Sequence, residues 1–184
     1  MSLNETPDNL PIPEDDGAAD HLEGMSLPDI VFTATSNETV LFNLLQGYVV
    51  IYVYPMTGQP GTPLPEGWDD IPGARGCTPQ ACSFRDHYSE LKSLDTHVFG
   101  LSAQSTRYQQ EAKERLQLPF ELLSDQSLSL NKSLQLPTFM ATGMELYKRI
   151  TLIVENGVIV KTFYPVFPPN ESAEQVLSWL RTHG

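Results

Sequence analysis

Residues 48–54 (YVVIYVY) form the longest unbroken run of apolar and aromatic positions in the chain. A run with no polar alternation suits a central strand buried on both faces. Upstream, residues 30–35 and 39–42 are short β-prone stretches around Ser36-Asn37, which predicts an N-terminal hairpin. Downstream, helical spacing takes over: Phe84, Tyr88, Leu91 and Leu94 share one face of a helix predicted over 79–94. A strand is expected at 97–103. Ser105 is a good cap for a helix over 106–116. A short strand follows at 120–124, then a helix at 126–134 that ends before Pro137. Residues 149–154 and 158–164 flank Glu155-Asn156-Gly157, a strong tight-turn hairpin signal. A C-terminal amphipathic helix closes the chain over 171–181, with Ala173, Val176, Leu177 and Leu180 inward. This order predicts an α/β sheet with helices on both faces.

Between the central strand and the first long helix lies a loop, residues 55–76, with five prolines and five glycines. Loops of that length in a compact domain usually serve a function. Charge is just as uneven. The net charge of −12 comes from 23 acids and 11 bases; twelve acids and no Lys or Arg precede Arg75, and eleven of each follow from there on. Residues 1–24 therefore read as an acidic, solvated arm, pinned at most by Leu10, Ile12 and Leu22. Residues 25–184 read as the folded domain. With 184 residues and 40% apolar content the chain has enough material for a core. The acidic balance argues against a nucleic-acid surface, which needs a basic stripe. No apolar run is long enough to cross a bilayer. No leader pattern opens the chain, so a cytoplasmic location is expected.

Two cysteines cannot staple a domain of this size, so they are either core residues or chemistry. Both fall in Arg75-Gly76-Cys77-Thr78-Pro79-Gln80-Ala81-Cys82. Gly76 permits an unusual turn, and Pro79 is favoured in the first turn of a helix. Cys77 should therefore open the helix, where unpaired N–H groups and the dipole favour a thiolate. Cys82 is either a small apolar helix residue or a second reactive thiol. On an intact helix, five residues separate Cα atoms by roughly 8–9 Å, beyond the limit of about 7 Å for a disulfide. A bond between the two requires the first turns to unwind, which argues either against the bond or for a moving helix. The spacing is not that of a zinc ribbon, and the histidines are scattered, so no metal is expected.

Tyr54-Pro55, together with Gly76-Cys77-Thr78-Pro79-Gln80-Ala81-Cys82-Ser83-Phe84-Arg85-Asp86, resembles the active-site segment of peroxiredoxins. The resemblance is to the Q-type, or bacterioferritin-comigratory-protein, branch. It extends to Leu27-Pro28-Asp29, to the run from Phe120 to Asp125, and to Arg149-Ile150-Thr151 with its hairpin, covering roughly residues 25–182. It implies a thioredoxin-like fold, a central mixed sheet flanked by helices. It also implies reduction of hydrogen peroxide or organic hydroperoxides without a cofactor. By this resemblance Cys77 is the peroxidatic cysteine and Cys82 the resolving one, forming an intramolecular disulfide recycled by a thioredoxin-like or other dithiol donor. Arg149 is the strand arginine that binds thiolate and peroxide. Gly76, Thr78, Pro55 and Arg85 support the site, and the protein would be a monomer or homodimer.

One departure stands out. The branch carries Pro-x-x-x-Thr-x-x-Cys, whereas here a long insertion follows Pro55 and Ala74 stands three residues before Cys77. Thr78, Thr57 and Thr62 are the candidate replacements for the lost hydroxyl. Trp68 in the insertion either lids the pocket or staples the loop to the body. Two other readings are a catalytically weak redox sensor or binding module of the same fold, and a general dithiol–disulfide oxidoreductase.

Overall fold

The structure is a computed structural model and describes residues 3–183. In chain order its elements are β1 (Phe32–Ala34), β2 (Thr39–Val40), β3 (Tyr48–Val53), α1 (Cys77–Asp86), α2 (Tyr88–Ser93), β4 (Thr96–Ser102), α3 (Thr106–Leu116) and β5 (Glu121–Ser124). Then come α4 (Ser129–Leu134), β6 (Thr138–Ala141), β7 (Met144–Tyr147), β8 (Ile150–Glu155), β9 (Val158–Phe163) and α5 (Ser172–His183). Seven strands form one sheet in the order β2-β1-β5-β4-β3-β8-β9, and β6 pairs with β7 alone. β3, β4 and β5 are parallel, while β1 and β8 run antiparallel to their neighbours, so the sheet is mixed. β1 and β2 make the expected hairpin.

β3 is apolar throughout because it has no wet face. Val50, Tyr52 and Tyr54 pack with side chains of α1, α2, α3 and α5. Val49, Ile51 and Val53 pack with Leu130 and Leu134 of α4 and with Leu22 of the arm. Each such aliphatic side chain contributes about 1.5–3 kcal/mol on burial. The whole span of β-propensity is only about 1 kcal/mol. Packing therefore fixes this strand. Gly100 of β4 makes room for Tyr52: a Cβ there would come within 2.7 Å of the Tyr52 hydroxyl and 2.6 Å of Leu122. The Tyr52 ring stacks on Phe84 of α1, centroid to centroid 4.7 Å, which seats that helix on the sheet.

Three segments differ from expectation. The helix read over 79–94 is two helices broken at His87, whose φ of −105° and ψ of 9° are not helical. Its Nδ1 donates to Ser83 O at 2.8 Å, a carbonyl that the His87 N–H also reaches at 3.2 Å. Phe84 and Leu91 stay buried across the break, which is why the apolar period continues through it. The β6–β7 hairpin has no counterpart in the sequence reading. Its turn is Thr142-Gly143, both at positive φ. Met140 and Met144 are exposed on it, so the alternation that marks a half-buried strand is missing. α4 begins at Ser129, later than expected, because Asp125 accepts from the Ser129 and Leu130 N–H groups and from Tyr147 Oη, fixing the start.

The arm lies on the body. Leu22 is buried in the core, Leu10 is half-buried, and Ile12 is exposed. Gly24 N–H donates to Ile159 O, Ile159 N–H to Met25 O, and Leu27 N–H to Gly157 O, so this stretch runs along β9. Asp16 accepts from Lys148 Nζ at 3.1 Å and Tyr164 Oη at 2.9 Å. In the long loop, Trp68 is buried with Ala74, Ala141 and Leu146 and tilts against Phe139. It staples the loop to the β6–β7 hairpin and also lines the cavity over Cys77. No helix among the described residues is long and apolar enough to cross a membrane.

Candidate active site

Cys77 is the first residue of α1, and Gly76 caps it with a φ of 123°. That conformation suits glycine, and a Cβ would collide with Pro169 Cγ at 2.3 Å. Two constraints thus meet at one residue: the turn that starts the helix and the close approach of the segment before α5. The first helical bond runs from Gln80 N–H to Gly76 O at 3.0 Å. The Cys77 and Thr78 N–H groups have no helical acceptor, and Pro79 has no N–H at all. The positive end of the α1 dipole lies at the cysteine.

Arg149 precedes β8 and reaches the same spot. It is buried, 3% exposed. Nη2 donates to Cys77 Sγ at 3.1 Å and to Ala74 O at 3.0 Å. Nη1 donates to Gln80 Oε1 at 2.6 Å, and Nε to Gly73 O at 3.3 Å. Four of the five guanidinium N–H donors are thus engaged. None of these acceptors is a carboxylate, and among the described residues no acid forms an ion pair with Arg149. Of these four acceptors, the Cys77 sulfur is the one that can carry a full negative charge. Sγ also lies 3.8 Å from Ala74 O, a weak thiol contact.

Gln80 is the residue the sequence reading passed over. It is fully buried, accepts from Arg149 and donates Nε2–H to Ser172 Oγ at 3.2 Å, tying α1 to the start of α5. In the sequence Gln80 stands three residues after Cys77 on the inward face, a single polar position among Ala81 and Phe84. Ser83, also on α1, accepts from Ala173 N–H and so caps α5.

Not every expected residue converges. Arg85 donates to Asp86 and to Leu116 O at the end of α3, away from Cys77. Arg75 pairs with Asp69 at 2.8 Å. Pro55 is buried directly after Tyr54, at the end of the central strand. Thr78 lines the cavity over Cys77, as does Thr62. Thr57 is bound through its backbone to the Gln104 amide. Among the described residues no hydroxyl hydrogen-bonds the Cys77 sulfur; at the place of the lost threonine, Ala74 offers only its carbonyl. Cys82 is fully buried, and burial pushes its thiol up. The two cysteines are unbonded. Tyr52 is buried beside them with no partner for its hydroxyl among the described residues, and burial pushes it well up.

The cavity over Cys77 has a volume of about 320 Å³. Its walls come from Cys77, Thr78 and Pro79 of α1, the long loop through Met56, Pro60 and Leu64, Arg115 of α3, and the arm. Arg115 Nη2 donates to Gly58 O at 2.9 Å, which holds the loop in place. A second cavity of about 500 Å³ lies against Arg149, lined by Pro13, Pro72, Phe139 and Tyr164.

Comparison with known proteins gives a consistent picture. The family model described as Redoxin matches residues 22–177. Peroxiredoxin Bcp of Bacillus subtilis (strain 168) is 28% identical over 156 residues, 82% of this chain and 90% of its own. The chloroplastic peroxiredoxin Q of Suaeda salsa is 27% identical over 162 residues, 87% of this chain and 68% of its own. Among solved structures, the peroxidoxin BcpB of Mycobacterium tuberculosis superposes with a TM-score of 0.72 at 21% identity, covering 89% of this chain and 99% of that one. A bacterioferritin comigratory protein of Xanthomonas campestris, solved for insight into its alkyl peroxide reduction activity, superposes with a TM-score of 0.68 at 20% identity, covering 97% and 99%.

Proposed function

Because the chain belongs to the redoxin family, and within it to the thiol peroxidases of the peroxiredoxin Q/Bcp type, we propose that Cys77 is the residue that attacks the peroxide and Cys82 the one that resolves the product. The observation that carries this reading is the Arg149 guanidinium, buried without a carboxylate and donating to Cys77 Sγ at 3.1 Å. That N–H is a charged donor aimed at the sulfur and ready for negative charge that develops there. The thiolate is the nucleophile.

In the proposed reaction Cys77 Sγ attacks one peroxide oxygen and the O–O bond breaks. Sulfur gives up two electrons and becomes a sulfenic acid. The other oxygen leaves as alkoxide or hydroxide and takes up a proton, giving an alcohol or water. Charge growing on that oxygen meets donors already in place: the uncommitted Arg149 N–H and the N–H groups at the start of α1. Thr78, on the cavity wall, is the hydroxyl best placed to stand in for the threonine missing at Ala74. Cys82 then displaces hydroxide from the sulfenic sulfur, forming a disulfide and water. Because α1 keeps the two thiols in separate turns, this step needs the helix start to unwind. A thioredoxin-type dithiol reduces the disulfide and returns both thiols. A cycle of this kind belongs in a compartment that keeps thiols reduced, the cytoplasm in our reading.

Intact mass after one equivalent of hydrogen peroxide, followed by peptide mapping, tests the assignment. A rapid loss of two hydrogens mapping to a Cys77–Cys82 link is the expected result, as is loss of peroxide turnover in Cys77→Ser. A gain of oxygen on Cys77 alone would remove Cys82 from the cycle. Retained turnover in Cys77→Ser would remove Cys77 itself.

A further inference from the structure

The family match begins at residue 22, yet Leu3, Glu5 and Pro7 line the cavity over Cys77. From the peroxidase reading above, we infer that segment 3–7 is the outer wall of the peroxide pocket and sets the size of hydroperoxide it admits. The arm does not arrive there by chance contact. It leaves the core at Leu22, is anchored at Asp16 by Lys148 and Tyr164, and brings Pro13 beside Gly73, where an added Cβ would stand 3.4 Å from the proline. Gly73 is one of the carbonyls that hold Arg149. At its far end the Asn4 side-chain amide donates to Asp86, the last residue of α1, and Asn170 Nδ2 donates to Asn4 O at 3.3 Å. Pro7, Pro11 and Pro13 stiffen the route between these contacts.

The cavity this wall completes, about 320 Å³, is at the small end of the range of roughly 300–1,000 Å³ seen for small-molecule sites. Hydrogen peroxide occupies a small part of it and leaves room for an organic group, and a group large enough to reach Leu3 and Pro7 meets the wall. Leu3 and Pro7 are apolar and make no directed bond to a substrate, so their effect is exclusion by shape. The reaction centre is untouched by this segment, so the wall acts on which peroxide reaches Cys77 and not on the bond-breaking step. The wall therefore bears on hydroperoxides that carry a bulky organic group and leaves hydrogen peroxide unaffected.

Leu3 is half exposed, so substitutions there in the full chain leave the fold intact. The quantity to measure is the ratio of kcat/KM for cumene hydroperoxide to kcat/KM for hydrogen peroxide. Leu3→Gly with Pro7→Gly opens the wall and is expected to raise the ratio about tenfold, while Leu3→Trp closes it and lowers the ratio by a similar factor. A ratio unmoved by either variant would mean that the segment is not part of the pocket in solution. The reverse signs would mean that Leu3 attracts bulky substrates instead of excluding them. Either result overturns the inference, whereas failure of the parent protein to turn over any hydroperoxide would overturn the peroxidase reading instead.

Discussion

In the proposed reaction Arg149 concentrates the chemistry in one side chain, and what holds it is as telling as what it holds. The guanidinium fork needs acceptors at fixed angles, and Gln80, Ala74 and Gly73 supply them. Replacing Arg149 by Lys keeps the charge and loses the fork. The second-order rate constant for hydrogen peroxide is expected to fall about 10²–10³-fold, as for loss of an oxyanion donor. Gln80→Leu leaves one guanidinium N–H facing apolar surface and should cost about tenfold in the same constant, and Gln80→Glu, which hands the guanidinium a carboxylate and loses the donor to Ser172, should not restore it; a purely structural role for Gln80 would show in thermal stability and leave this constant unchanged. The meeting of Cys77 and Arg149, 72 positions apart, was legible as an expectation because each sits in a family pattern. Gln80 was not, since one polar residue inside a helical apolar face reads as noise until its partner, 69 positions away, is known. Arg85 shows the opposite failure. It belongs to the same run as Cys82, but one turn of helix aims it at Leu116 O.

Helix α1 carries both cysteines and also holds the start of α5 through Gln80 and Ser83. Unwinding it for disulfide formation therefore loosens two helices. Burial raises the Cys82 thiol in the intact helix, so the folded helix holds that proton more tightly than the unwound one. This advantage is complete below the ordinary thiol range and is lost as pH rises through the raised value. Disulfide formation should accordingly quicken from neutral to alkaline pH, by at most about tenfold per unit. Stopped-flow tryptophan fluorescence after a peroxide pulse reads the rate, and a flat profile would show that Cys82 does not ionise on the way. Element by element, what the sequence revealed depended on periodicity. Ser105 caps α3 as expected, its hydroxyl accepting from Tyr108 N–H at 3.2 Å. The central strand and the Asn-Gly hairpin were equally plain. The β6–β7 hairpin was hidden because its exposed methionines imitate a core, and the break at His87 because Phe84 and Leu91 carry the apolar period through it.

Across the whole molecule, the arm, the long loop and the β6–β7 hairpin enclose the site from outside the sheet. Their hold on the body is partly ionic. The Tyr164 hydroxyl, helped by the Ala18 N–H and Lys148, keeps the Asp16 carboxyl below the usual carboxylate range. A lowered value means the anchor is fully present above the ordinary carboxylate range and is lost as pH falls through the lowered one. Asp16→Asn should therefore speed amide exchange in residues 3–24 several-fold at neutral pH, and acid should do the same to the parent protein. Unchanged protection in the variant would place the hold elsewhere in the arm.

The pairing of residues 24–27 with β9 has a further consequence. β9 is the last strand on its side of the sheet, and a bare edge offers N–H and C=O groups to any extended chain in solution. Here Gly24, Met25 and Leu27 occupy the groups of Gly157 and Ile159, and the Glu23 carboxylate takes the Thr162 N–H. The opposite edge is β2, only two residues long. The chain thus covers part of one margin of its own sheet and shortens the other, which guards it against polymerising strand on strand whenever a neighbouring element loosens.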